Sequence, residues 1–142
     1  MRWPLLLLIL ALAGCASAPE APPPGTWALQ ASATAGSAIV RSDSGGEALR
    51  IACRRDPPDL WVSTGRLHGE GPVRLQVGAE PFTLAPAAEP QGLSAVAPLP
   101  DRLPAAMMGG GEITLSQGRR RLGPYPAPDA KTVAAFVIAC RR

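Results

Sequence analysis

Glu47-Ala48-Leu49-Arg50-Ile51-Ala52-Cys53-Arg54 is the stretch whose reading decides the fold class. Leu49, Ile51 and Cys53 fall on one side of an extended chain, with Ala48, Arg50, Ala52 and Arg54 on the other. A period of two marks a strand with one face buried. Asp56-Pro57-Pro58-Asp59 breaks the pattern, and Leu60 to Thr64 resumes it, so 47–64 reads as a hairpin.

The same period extends outward in both directions. Trp27, Leu29 and Ala31 alternate, a short strand is expected around Ile39 and Val40, and Ser42-Asp43-Ser44-Gly45-Gly46 forms a turn. Val73, Leu75 and Val77 alternate with Arg74 and Gln76. Phe82 and Leu84 follow beyond Gly78-Ala79, giving a second hairpin over 72–85, with Pro86 to Pro90 as loop. Leu93 to Ala97 and Ile113 to Leu115 add further strands. Asp101 is expected to cap a short helix through Met108, with Pro104 tolerated in its first turn and Gly109-Gly110-Gly111 ending it.

Near the end of the chain the period changes. Val133, Phe136, Val137 and Cys140 lie at i, i+3, i+4 and i+7, one face of a helix that Pro128 and Asp129 start. The alternation of Val133, Ala135 and Val137 leaves a strand open as the other reading. The expectation is a mostly β (α+β) domain of six to eight short strands with a short internal helix and a C-terminal helix. A small antiparallel sandwich and a curved sheet packed by the terminal helix both fit.

The first residues carry a different message. Met1 and Arg2 give a positive start, and Leu5 to Ala13 form an apolar run of about nine residues. A spanning helix needs about 20, so the run has the length of an export signal. Leu12-Ala13-Gly14-Cys15 closes it and resembles the lipobox of bacterial lipoprotein precursors. That resemblance implies cleavage before Cys15, a diacylglyceryl group on its sulfur and acylation of the new amine. It also implies attachment to a membrane outside the cytoplasm without a spanning segment, since two or more acyl chains anchor stably. By the same resemblance, to lipoproteins of Gram-negative bacteria, Ala16 in place of Asp after the cysteine implies the outer membrane facing the periplasm as the expected address, ahead of the inner membrane.

The division that follows is 1–14 signal, 15–25 lipidated Cys15 with a Pro-rich tether, and 26–142 one β-rich domain. Extended tether residues span about 3 Å each, so 16–25 reaches some 30 Å. Loss of Arg2 with the signal leaves 13 basic against 11 acidic side chains. That near-balance, with export, argues against a nucleic-acid partner. With Cys15 lipidated, Cys53 and Cys140 remain as an even pair in an oxidising compartment, each on an apolar face. A disulfide between them is expected, worth about 4 kcal/mol in the chain-entropy account.

Candidate chemistry is sparse, and no catalytic residue, metal site or cofactor is assigned. Asp43-Ser44-Gly45-Gly46 resembles the stretch around the nucleophile of chymotrypsin-like serine proteases. However, Ser42 replaces the leading glycine, and the single histidine, His68, follows the serine instead of preceding it. One histidine cannot make the usual zinc site, although Glu70 or Asp59 offers it an acid–base partner. Arg119-Arg120-Arg121 is the strongest charged cluster and the candidate anion-binding site. Arg54-Arg55 and Arg141-Arg142 flank the paired cysteines and are expected to approach one another.

The leading expectation is thus a lipid-anchored envelope module, non-enzymatic, that binds an envelope protein or glycan. A small hydrolase using a serine or His68 is one alternative. An Arg-mediated binder of anionic envelope polymers is the other.

Overall fold

The computed structural model describes residues 25–32, 36–87 and 92–141. The signal at 1–14, Cys15, tether residues 16–24 and Arg142 lie outside the described residues.

Among the described residues nine strands and two helices follow one another: β1 (Trp27–Ser32), β2 (Gly36–Asp43), β3 (Gly46–Arg55), β4 (Pro58–Thr64), β5 (Val73–Val77), β6 (Glu80–Ala87), β7 (Leu93–Pro98), α1 (Leu103–Met108), β8 (Ile113–Gln117), β9 (Arg120–Tyr125) and α2 (Ala130–Arg141). The strands form one antiparallel sheet in the order β1-β2-β3-β4-β7-β6-β5-β8-β9. The fold is therefore a single sheet with helices, as the curved-sheet reading has it, and not a sandwich of two.

The strand pairing follows the alternation. Cys53, Ile51 and Leu49 of β3 oppose Ser37, Ile39 and Arg41 of β2, and Cys53 and Ile51 oppose Leu60 and Val62 of β4. Ile39, Leu49, Ile51, Leu60, Leu75 and Leu115 are fully buried on the inner face. Burial of such a side chain contributes about 2 kcal/mol. β6 changes partner along its length: Glu80 to Leu84 pair with β5, and Ala85 to Ala87 pair with β7. That switch carries β6 through Pro86 to Ala87, two residues beyond the expected hairpin boundary at 85, so the start of the segment expected as loop is strand, held by its pairing with β7.

The sheet curls until its outermost strands meet through side chains. The Trp27 and Tyr125 rings sit edge to face with centroids 6.5 Å apart. Trp27 Nε1 donates to the Pro126 carbonyl at 2.7 Å. The Arg41 guanidinium lies 5.9 Å from the Trp27 ring centre and 5.3 Å from that of Tyr125. Arg41 Nε is buried without a hydrogen-bond partner, so the negative ring faces are its electrostatic company. Among the described residues no strand ladder joins β1 to β9, and the sheet stays open.

Helix α2 lies on β1, β2 and β3, with α1 beside it. Val133, Phe136 and Cys140 are its buried residues, as the helical spacing predicts. Asp129 starts it: its carboxylate accepts the Thr132 N–H at 2.8 Å and the Thr132 hydroxyl at 3.0 Å. Cys140 and Cys53 form a disulfide with Cα atoms 5.7 Å apart. Ser37 Oγ donates to the Phe136 carbonyl at 3.2 Å, and Arg55 Nε to that of Ala139 at 3.2 Å.

Two expectations need correction. Asp101 does not cap α1; Arg102 occupies that position with no side-chain cap. The chain enters α1 through a backbone turn, with Leu103 N–H bonded to the Pro100 carbonyl at 3.2 Å, so no carboxylate is required. The strand count of six to eight is low by β9, whose arginines and glycine mask its extended pairing with β8.

The disulfide closes a loop between residues 87 apart. Replacing both Cys53 and Cys140 with Ala is expected to remove about 4 kcal/mol of stability, read as a lower urea midpoint in equilibrium unfolding. An unchanged midpoint contradicts the role given to this link.

Candidate functional site

The arginines divide by what they touch. Arg50 is bidentate to Glu47, with Nε to Oε1 and Nη2 to Oε2 each 2.8 Å, and Arg50 Nη1 donates to Gln30 at 2.9 Å. The Glu47 carboxylate raises the pKa of Arg50. Arg66 pairs with Asp43 at 2.6 Å and Arg102 with Glu80 at 2.8 Å. Arg54 stacks on Trp61 with its guanidinium 4.0 Å from the ring centre. With Arg41 in the aromatic seam and Arg55 on α2, these six brace the fold. Exposed pairs of this kind contribute little each.

Four others behave differently. Among the described residues the side chains of Arg74, Arg119, Arg120 and Arg121 enter no ion pair, ring contact or hydrogen bond. All four are exposed, and all four line one depression of about 370 Å³ on the outer face of β5, β8 and β9. Gln76, Thr114 and Ser116 complete its polar lining, and no carboxylate takes part.

The local sequence explains this gathering. In β5, Val73, Leu75 and Val77 face the core and send Arg74 and Gln76 outward. In β8, Ile113, Leu115 and Gln117 alternate on the inner face, so Thr114, itself buried, and half-buried Ser116 stand on the other side. Gly118 and Arg119 make the turn into β9. Gly118 has φ +57, a conformation that glycine adopts without the Cβ clash other residues meet. The register then places Arg74 opposite Ser116, and Ser116 opposite Arg121. Short side chains form the floor and arginines the walls. Like charges gathered without counter-charge create a local positive field that draws anions. Each guanidinium offers a fork of donors matched to carboxylate or phosphate.

The structure gathers Arg119, Arg120 and Arg121 in this site and adds Arg74. Arg74 carries only a weak sequence signal, a polar slot in an alternating strand. Its neighbours depend on a register between strands some 40 residues apart. Arg54, Arg55 and Arg141 do not line the depression. Of the expected approach around the cysteines, the Arg55 contact with the last turn of α2 is what is seen.

The serine-protease-like stretch is a turn. Ser44 and Gly45 connect β2 to β3, and the Asp43 carboxylate accepts the Gly45 N–H at 2.8 Å besides its bond to Arg66. The side chain thus closes an Asx turn. The Arg66 bond, then the Gly45 N–H, hold its carboxyl below the usual carboxylate range. His68 is exposed in the 65–72 segment, which Gln117 Nε2 pins through the Gly71 carbonyl at 2.9 Å. Among the described residues no hydrogen bond joins His68 to Ser44, Asp59 or Glu70. Burial, and next the Asp43 charge, push the Tyr125 hydroxyl upward. Among the described residues no three His, Cys, Asp or Glu side chains gather to hold a metal ion.

A scan of protein-family models and searches of curated proteins and of solved structures return no match to this chain.

Asp43 and Asp129 both have lowered pKa values; at Asp129 the Thr132 N–H is the largest cause and the Thr132 hydroxyl the next. A carboxyl whose pKa is lower folded than unfolded stabilises fully above its unfolded value, about pH 4. That contribution is lost as pH falls through the folded value. Thermal unfolding followed from pH 6 to pH 2 is expected to show a falling midpoint below about pH 4. The doubly substituted Asp43→Asn, Asp129→Asn protein, which keeps acceptor oxygens without a titrating group, is expected to show a shallower fall.

Proposed function

We propose that this protein is a lipid-anchored, extracytoplasmic binding module that holds an anionic envelope polymer on the face built by Arg74, Arg119, Arg120 and Arg121. The observation that carries the reading is the depression of about 370 Å³ lined by four arginines and no carboxylate. Cations held together without counter-ions repel one another, and an anion relieves that repulsion. Hydroxyl and amide groups on the floor offer further donors.

The lipobox-like Leu12-Ala13-Gly14-Cys15 supports the anchor. Among the described residues no helix is long and apolar enough to cross a membrane, and a lipidated cysteine requires none. The Pro-rich tether gives the domain reach from the bilayer surface. The module is non-enzymatic in this reading: its most exposed chemistry is a set of permanently charged donors, which bind and orient anions without taking up or releasing protons at neutral pH.

Two measurements test it. Mass spectrometry of protein extracted from membranes is expected to find residues 1–14 missing and acyl mass on Cys15; an intact N-terminus sinks the anchor. Dextran sulfate, a generic polyanion, is expected to bind the purified domain with an affinity that drops steeply between low and physiological salt. Replacing Arg119, Arg120 and Arg121 with Ser is expected to weaken that binding at least tenfold. Binding that ignores both salt and these substitutions overturns the anionic-partner reading.

A further inference from the structure

We infer that the compact unit recognised on this face is a phosphate monoester, held between Arg74 and Arg121 over Ser116. The inference rests on the anionic-partner reading and names the chemical group that reading leaves open.

The register is the starting point. Arg74 of β5, Ser116 of β8 and Arg121 of β9 are direct Cα partners across three adjacent strands. All three project on the outer side. Adjacent strands lie about 4.8 Å apart, so the two arginine Cα atoms stand about 10 Å from one another with the serine midway. All three line the same depression, with two long side chains flanking a short hydroxyl. Thr83 of β6 extends the row beyond Arg74. It is exposed and alternates outward beside buried Phe82 and Leu84.

The shape of this row selects among anions. A carboxylate has one negative charge and two oxygens, so one bidentate guanidinium satisfies it and leaves the second arginine unmatched. A phosphate monoester carries about −1.5 to −2 at neutral pH and presents three strong acceptor oxygens. It can take a fork from Arg74, a fork from Arg121 and the Ser116 hydroxyl together. Its second charge also offsets the second cation. The depression of about 370 Å³ sits near the small end of the range of ligand pockets, about 300–1,000 Å³. It fits a headgroup or one phosphorylated sugar, and a polymer repeat would enter one charged group at a time. Arg119 and Arg120 stand at the turn end of the hairpin and outside the row, where they raise the local field and steer anions inward.

Competition against bound dextran sulfate tests the inference with the purified domain. The competitors are inorganic phosphate, glucose 6-phosphate and glucuronate. A separate arm measures binding to neutral phosphatidylcholine vesicles carrying phosphatidic acid or, in a parallel set, phosphatidylserine. At least one phosphate monoester, free or in the vesicle, is expected to bind at least tenfold more tightly than its carboxylate-bearing counterpart. Success with glucose 6-phosphate assigns a soluble or glycan-borne phosphate; success confined to phosphatidic acid assigns a lipid headgroup.

Arg74→Ala and Arg121→Ala are each expected to lower that affinity tenfold or more. Ser116→Ala is expected to lower it several-fold and Arg119→Ala less than threefold. Arg121→Lys keeps the charge and loses the fork, and is expected to fall between Arg121 and Ala at that position. Equal competition by glucuronate, phosphatidylserine vesicles matching phosphatidic acid, or equal losses in the Arg119 and Arg121 variants overturn the phosphate assignment. They do so while dextran sulfate binding stands. Failure of dextran sulfate to bind the unaltered domain overturns the broader reading instead.

Discussion

The bond between Cys53 and Cys140 joins the third strand to the final helix, and the rest of the domain is arranged around that junction. A nine-stranded open sheet has an inner face too long for one hydrophobic side to cover itself. Here curvature solves part of the problem and α2 the remainder. The helix can seal the β1–β3 end only if its last turn is held down. The disulfide, the Phe136 ring, the Ser37 hydroxyl on the Phe136 carbonyl and Arg55 on the Ala139 carbonyl all act within that turn and the one before it. At the other end Asp129 fixes where the helix begins through Thr132, so a local cap sets one terminus and contacts from distant strands set the other.

Curvature has its own fastening. Trp27 and Tyr125 belong to strands at opposite ends of the sheet order, yet their rings touch. Arg41 fills the space between them. Closing a sheet through ring contacts and one indole hydrogen bond avoids the strict stagger that a full barrel demands of its backbone. The outer face keeps its own freedom as a result. β5, β8 and β9 can display polar side chains in any combination that leaves the inner alternation intact, and the arginine row uses that freedom.

How much of this was legible beforehand depends on range. The alternation from Leu49 to Arg54 and the helical spacing from Val133 to Cys140 depend on neighbours a few residues away and read correctly from the chain; Ala48, expected on the opposite face from Leu49, is fully buried, and the turn expected at 42–46 narrows to Ser44 and Gly45 because Ser42, Asp43 and Gly46 pair as strand. The disulfide was within reach because Cys53 and Cys140 each fall on the apolar face of their own element. β9 was not, since Arg-Arg-Arg-Leu-Gly-Pro-Tyr has no apolar period; it is a strand because β8 offers a ladder and Leu122 finds Leu115. Arg74 was missed for the related reason that its companions are set by register, a property of strand pairs and not of one strand. Asp101 misled because a residue with capping chemistry stood near a helix that a backbone turn already starts.

β9 also borders the sheet, and its side chains bear on how the domain behaves in a crowded compartment. A bare sheet edge is an invitation to another chain, and strands discourage it with charge and with proline. β9 contributes Arg120 and Arg121 within the strand and Pro124 near its end, where a backbone donor is missing. The residues that make the outer face cationic therefore also guard an open border against unwanted strand addition. Neutralising them in bulk would give the chain a stickier edge as well as a less cationic face.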